Sequence, residues 1–369
     1  TVRIPNAAQG VRTVDTNTGE LSEVRPVDDE FDGIDNPQWR ILRPEAGRPG
    51  AAGRSPTPVS AAAGERRYRP GHPVAVATIL ASFRRGSGDP TFRRDDAGIW
   101  LGRATPAGPG TLLIGGQDST GEIRGRAWGP GADWLLDQLP DLLGDRDDWS
   151  DFRAHHPQVD AARAANPGWR IPRSGLVIDA LVPSVIEQKV TGKEAFGAFR
   201  RLVRRYGEPA PGPQPDLRVP PTAAVWRTIP SWEWLQAGVT AQRSDTVMRC
   251  VQRAGRMEEA AGMPLPQARE RLRAIPGVGV WTVAEVAQRA LGDPDSPSFG
   301  DYHVAKQIGW RLLGHDIDDD QLAELLEPYA GHRFRVQALL LLGSPGAQTR
   351  PRRGPRFTLP THLPGPRRG

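Results

Sequence analysis

The pentapeptide Ile275-Pro276-Gly277-Val278-Gly279 stands between two helical patterns, "PQARERLRA" before it and "VWTVAEVAQRAL" after it. Two glycines permit backbone conformations that a Cβ would block, and the proline restricts what precedes them, so the chain must reverse direction within a few residues. Ile275 and Val278 are the apolar side chains available to pin the turn to a core. The reversal leaves a row of exposed amides: Gly277 and Gly279 carry no shielding side chain, and the first turn of the next helix adds free N–H groups near Trp281 and Thr282. Such a row holds a phosphate oxygen. An ordinary junction between two helices uses the same residue types, so the pentapeptide leaves both readings open.

The next segment narrows the choice. A helix over 281–291 rises about 16 Å at about 1.5 Å per residue. The residues 292–300, "GDPDSPSFG", stretch to roughly 30 Å. They can bring the chain back beside the hairpin and place Asp301 there, at the start of a helix over "DYHVAKQIGWRLLG". Asp293 and Asp295 lie nearer the far end and are poorer candidates. Asp is a preferred N-cap residue, and helix amides keep a capping carboxylate ionised, so capping and chemistry are compatible roles for Asp301.

The rest of the chain has room for two domains. Residues 1–68 are rich in Gly, Pro, Ala, Asp and Arg without apolar periodicity and read as a disordered extension, with a strand pair inside "VRTVDTNTGELSEV" as the alternative. From about Pro70, short β-prone runs such as "GIWLGRAT", "GTLLIGG" and "EIRGRAWG" imply an antiparallel sheet, closed by a helix over "GADWLLDQLPDLLG". Helical patterns dominate from about 149 to 343. Residues 344–369 are arginine-rich and read as a disordered basic tail. The expected fold is therefore α+β: an N-terminal antiparallel β-rich domain over 69–148, then an all-α domain over 149–343.

Forty-eight Lys and Arg against forty-three Asp and Glu, a net charge of +5, suit a polyanionic partner without requiring one. The lone cysteine, Cys250, is too few for a disulfide framework, a four-cysteine zinc site or an iron–sulfur cluster. The histidines lack ligand spacing, and "LLIGGQDSTGEIRG" lacks the Gly-Lys-Ser/Thr ending of a phosphate loop. No apolar run of membrane-spanning length and no signal pattern is present, so the expected compartment is the cytoplasm, with access to the chromosome.

The segment from "RERLRAIPGVGVWTVAEV" to "FGDYHVAKQ" resembles the helix-hairpin-helix DNA glycosylase superfamily. There, a hairpin of this form is followed some twenty residues later by the catalytic Asp, a spacing matched by Gly279 and Asp301. The chain is most similar to the 3-methyladenine DNA glycosylase II branch. "LVIDALVPSVIEQKVTGKEAFGAFRRLVRRYG" is like its early helix pair, with Gln188 at the glutamine position; residues 72–144 are like its β domain, and "GHRFRVQALLLL" is like its closing helix. The resemblance covers about residues 70–343.

It implies hydrolysis of the N-glycosidic bond of a damaged, alkylated base flipped out of double-stranded DNA. Asp301 would stabilise the oxocarbenium-like transition state and orient water. Gly277, Gly279, Trp281, Thr282, Gln188 and Lys189 would contact the DNA backbone, and Trp281 and Tyr302 would wall the base pocket. A subgroup with lyase activity carries a lysine two residues after the second hairpin glycine; Trp281 stands there, so a monofunctional, monomeric enzyme is expected. No cofactor is required, although the superfamily holds a structural cation, expected to be monovalent, on hairpin carbonyls, here those of Arg273, Ile275 and Val278. Three positions depart from the branch: Lys189 stands where a DNA-wedging residue is common, and Glu285 and Gly331 replace expected pocket aromatics. The competing readings are a non-catalytic DNA-binding module and excision of an oxidised or deaminated base.

Overall fold

The computed structural model describes residues 2–6, 10–14 and 64–351. A hairpin of β1 (Val2–Asn6) and β2 (Gly10–Val14) forms a two-stranded antiparallel unit of its own. It falls within the extension expected to be disordered. The remainder of that expectation up to residue 63 lies outside the described residues.

The main sheet has five antiparallel strands in the order β3-β7-β6-β5-β4: β3 (Gly64–Tyr68), β4 (Phe92–Asp95), β5 (Gly98–Thr105), β6 (Gly108–Ile114) and β7 (Ile123–Trp128). Strand β3 also lies before the expected boundary at 69. A strand whose middle is Glu65, Arg66 and Arg67 carries little apolar signal, because an edge strand needs only one buried face. Helices α1 (Val76–Leu80) and α2 (Ala132–Leu142) accompany the sheet, and Leu135, Leu136 and Leu139 of α2 are buried. The opposite face of β5–β7 is covered as well. Trp100, Leu113 and Trp128 pack there with Val219 of the short pair β8 (Glu208–Pro209) and β9 (Arg218–Val219) and with Leu217 just before β9. That double burial explains why "GTLLI" runs apolar without alternation.

The helical region continues with α3 (Pro157–Ala165), α4 (Val177–Ile186), α5 (Gly192–Tyr206), α6 (Ala223–Thr228), α7 (Ser231–Gln236), α8 (Ala241–Gln252), α9 (Ala254–Glu258) and α10 (Leu265–Arg273). Beyond the hairpin come α11 (Val280–Val286), α12 (Val304–Leu312), α13 (Asp319–Leu326) and α14 (Arg333–Leu342). None of the described helices is long and apolar enough to cross a membrane. Capping follows local chemistry: Thr191 and Glu194 form a reciprocal capping box at α5, and Asp318 and Gln321 form one at α13.

The apolar cores do not divide at residue 148. One core joins the sheet, α2 and α3 to Val304, Ile308, Leu322 and the whole of α14. The other is built from residues 177–291. A helix buried at every position from Phe334 to Leu342, as α14 is, needs cover on every side; the β layer supplies part of that cover. The chain crosses between the two cores along residues 292–303, which is where Asp301 lies. At the other end, Arg350 forks onto Asp316 with contacts of 2.7 and 2.8 Å, so the expected disorder of 344–369 does not hold at its start. Residues 352–369 lie outside the described residues.

Candidate active site

The hairpin is pinned as its sequence suggests: Ile275 and Val278 are buried, while Pro276, Gly277, Gly279 and Val280 face outward. Its two glycines have different reasons for being there. Gly277 has φ +94°, and a Cβ on it would sit 2.4 Å from the Thr246 hydroxyl. Gly279 has φ −90° and open space where a Cβ would project. Gly277 is therefore demanded by the fold, and Gly279 leaves an unobstructed outer face. Gly277→Ala is expected to cost about 1–3 kcal/mol of stability, read from the midpoint of a urea titration, whereas Gly279→Ala should leave that midpoint in place.

Thr282 is not outward-facing. Its hydroxyl is buried and accepts a 2.8 Å hydrogen bond from the Gln188 amide, which also donates to the Gly277 carbonyl at 2.9 Å. Gln188 thus braces the hairpin against the end of α4, a contact the expected DNA-backbone role did not include. Lys189, the next residue, is exposed and has φ +55°, the one non-glycine residue with positive φ among those described. Of the hairpin carbonyls expected to hold a cation, that of Ile275 accepts the Val278 amide, and those of Arg273 and Val278 accept no backbone amide outside the helices among the described residues. Carbonyl oxygens of this kind are the donors that hard cations take.

Asp301 precedes α12 and is not its formal cap; His303 occupies that position. Its carboxylate nevertheless gathers N–H donors at the helix start: Oδ1 accepts from His303 N at 2.8 Å and Val304 N at 3.1 Å, and Oδ2 accepts from the Trp281 indole at 3.2 Å. Burial pushes the carboxyl above the ordinary aspartate range, and the negative charge of Glu285 pushes it further. The His303 and Val304 amides and the His303 ring pull the other way. The loop from Gly292 does return the chain to the hairpin: the indole of Trp281, two residues past Gly279, touches Asp301. Asp293 and Asp295 hold structure instead. Asp293 is fully buried and pairs with Arg269 at 3.0 Å, and Asp295 accepts the Gly331 and Arg333 amides.

Tyr302 is 44% exposed, with the Lys306 ammonium 4.2 Å from its ring centroid. It borders the Asp301 turn from outside, while Trp281 sits half-buried against the carboxylate. Glu285, one turn beyond Trp281, is buried; Oε2 pairs with Arg289 at 2.8 Å and Oε1 accepts from the Ser298 hydroxyl at 2.8 Å. Arg289 also donates to the Ser82 carbonyl at 2.9 Å, tying this helix to the segment that follows α1. Ser298, Gln288, Arg289 and Gln337 escaped the sequence reading. The available signal was an i, i+4 Glu–Arg pair on a helix whose neighbours, Val283, Ala284, Val286 and Ala287, are all apolar.

The arrangement, a hairpin with an open amide face and a half-buried carboxylate beside it, matches known folds. A 3-methyladenine DNA glycosylase from Archaeoglobus fulgidus superposes with a TM-score of 0.60 at 17% identity, covering 75% of this chain and 97% of that one. The chain has the fold of that glycosylase. A second glycosylase-fold structure, the Clostridium acetobutylicum 8-oxoguanine glycosylase/lyase in complex with duplex DNA containing cytosine opposite 8-oxoguanine, superposes at 0.52 with 12% identity over 69% of this chain and 88% of that one. In sequence, the chain is 31% identical over 190 residues to proteins of two Mycobacterium tuberculosis strains, CDC 1551/Oshkosh and H37Rv, each named a probable bifunctional transcriptional activator/DNA repair enzyme AlkA. The match takes in 49% of this chain, which spans about a third (35%) of the length of those relatives. No protein-family model matches the chain.

Proposed function

We propose that this chain is a DNA glycosylase that hydrolyses the N-glycosidic bond of damaged, alkylated bases flipped out of duplex DNA. The observation that carries the reading is the Asp301 carboxylate, held by two backbone amides of its own turn and by the indole N–H of Trp281 from the helix after the hairpin. As the base leaves, positive charge grows on the sugar, and a fixed, poorly solvated carboxylate stabilises that charge more strongly than water would. The same carboxylate orients the attacking water. An alkylated purine already carries positive charge and needs little help from a general acid; the face of Trp281 suits such a base, with Tyr302, whose ring already meets the Lys306 ammonium, at the rim.

The phosphate backbone meets the open face at Gly279 and the free amides of the first turn of α11, with Lys189 as a further phosphate partner. The left-handed backbone of Lys189 at the rim of the hairpin is strain of the kind found where a side chain is held out to a ligand. A cation on the carbonyls of Arg273, Ile275 and Val278 would neutralise charge at the same point. With Trp281 where a nucleophilic lysine would be needed, base release proceeds without strand cleavage. The enzyme acts as a monomer on double-stranded DNA in the cytoplasm.

A second reading, excision of an oxidised base, follows from Glu285 standing where the resembled branch has a pocket aromatic. The deciding experiment presents the protein with methylated duplex and, separately, with duplex containing 8-oxoguanine, and identifies the released bases. Release of methylpurines supports the first reading, release of 8-oxoguanine the second, and salt-dependent binding with no release reduces the chain to a DNA-binding module. Gly279→Ala is expected to weaken duplex binding about tenfold, roughly 1.4 kcal/mol, measured by fluorescence anisotropy.

A further inference from the structure

Ser298 sits at the centre of a buried polar cluster in the loop that leads to Asp301. Its hydroxyl oxygen accepts from the Gln288 and Gln337 side-chain amides, each at 3.0 Å. Those two donors occupy both lone pairs, so the one hydroxyl proton has to go to Glu285 Oε1, 2.8 Å away. The backbone of the same residue is equally committed: Ser298 N donates to Gln337 Oε1 at 2.8 Å, and Ser298 O accepts the Asp301 amide at 3.1 Å. Ser298, Gln288, Glu285 and Gln337 are all buried. The helix contributing Glu285 and Gln288 changes to π-helical winding over Ala287–Leu291, a local rearrangement frequent at functional sites.

We propose that Glu285 is a positioning residue for Asp301, holding the loop of the reacting carboxylate through the Ser298 hydroxyl. The inference rests on the assignment of Asp301 as that carboxylate. Three polar partners converge on one serine, and that serine takes the Asp301 backbone amide; a loop that needed only to span the cores would need none of them. Glu285 also acts through charge. The groups facing Asp301 are Glu285 from α11, with Arg289 paired behind it, the His303 ring from its own turn, and Asp319 of α13, which accepts the amide of neighbouring Gly300 at 2.8 Å. Neutralising Glu285 removes a negative neighbour and unmasks Arg289, and both changes favour ionised Asp301.

The test combines single-turnover base release with a titration of the Asp301 carboxyl carbon by 13C NMR, assigned by comparison with Asp301→Asn. Ser298→Ala is expected to slow release on the order of ten- to a hundredfold with unchanged duplex affinity, and Ser298→Thr, which keeps the hydroxyl, to recover most of the rate. Glu285→Gln is expected to move the Asp301 titration to lower pH. A Ser298→Ala rate within about twofold of wild type, or an Asp301 midpoint unmoved by Glu285→Gln, overturns the proposal. If Ser298→Ala does not fold, the Glu285→Gln titration decides. If the wild type releases no base from either DNA, the assigned reaction fails, while the carboxyl titration needs no substrate and still decides the role of Glu285.

Discussion

Asp301→Asn is expected to slow single-turnover base release about a thousandfold while leaving duplex affinity nearly unchanged. Asparagine can keep the amide contacts of Oδ1 to His303 and Val304, so the turn survives; what is removed is the negative charge opposite the developing sugar cation, together with the Trp281 indole contact, which an amide nitrogen cannot accept. A loss of less than about tenfold would show that the charge does little and would sink the assignment. The carboxyl is raised by burial first and by Glu285 next, so wild-type activity should fall on acidification at a pH above the ordinary aspartate range.

The same shift has a sign for stability. A carboxyl whose folded pKa lies above its unfolded value binds its proton more tightly in the folded state, so above that pKa the ionised form costs stability, and the cost disappears as pH falls through it. At neutral pH, Asp301→Asn should therefore leave the melting temperature equal or higher, the pattern of a residue kept for chemistry at the expense of the fold.

Arg335→Met is expected to destabilise the protein by about 3–5 kcal/mol, a large share of the roughly 5–15 kcal/mol that holds a domain folded. Arg335 is wholly buried in α14, ion-paired to Asp147, itself 2% exposed at the side chain. Its guanidinium also lies 4.5 Å from the Trp149 ring centroid and meets His332 Nδ1 at 2.7 Å. That contact needs a neutral imidazole accepting at Nδ1, and burial together with the Arg335 charge lowers the His332 pKa accordingly. Removing the cation leaves the Asp147 side chain, among the described residues, with hydrogen bonds from the Trp149 indole and the Ile171 amide and with the more distant charge of Arg170, too little for a desolvated carboxylate. The urea midpoint of Arg335→Met checks this, and the double variant with Asp147→Asn should recover part of the loss. A fall below about 1 kcal/mol would mean that the pair contributes no more than an exposed one.

Local chemistry made much of the site legible in sequence. The pinning of Ile275 and Val278, the reversal at Gly277, the helix after the hairpin and the return of the chain to Asp301 follow from glycine conformations, apolar spacing and the reach of nine residues. The β-prone runs from Ile99 to Trp128 likewise declared an antiparallel sheet, because strands and turns are encoded within a few neighbours. Strand β3 did not, since Glu65, Arg66 and Arg67 form an edge whose apolar signal is weak.

What only the tertiary structure decided is everything that depends on partners distant in sequence. Gln188 reads as a DNA contact until Gly277 and Thr282, about ninety residues away, are seen to hold its amide. Glu285 reads as a misplaced charge in an apolar helix until Arg289, Ser298 and, through Ser298, Gln337 satisfy it. Most telling is the core: α14 packs with the β layer and the hairpin helix packs with residues 177–291, so the carboxylate lies on the strand of chain that joins two cores. Periodicity tells which face of a helix is buried and never against what, because hydrophobic burial has no direction of its own.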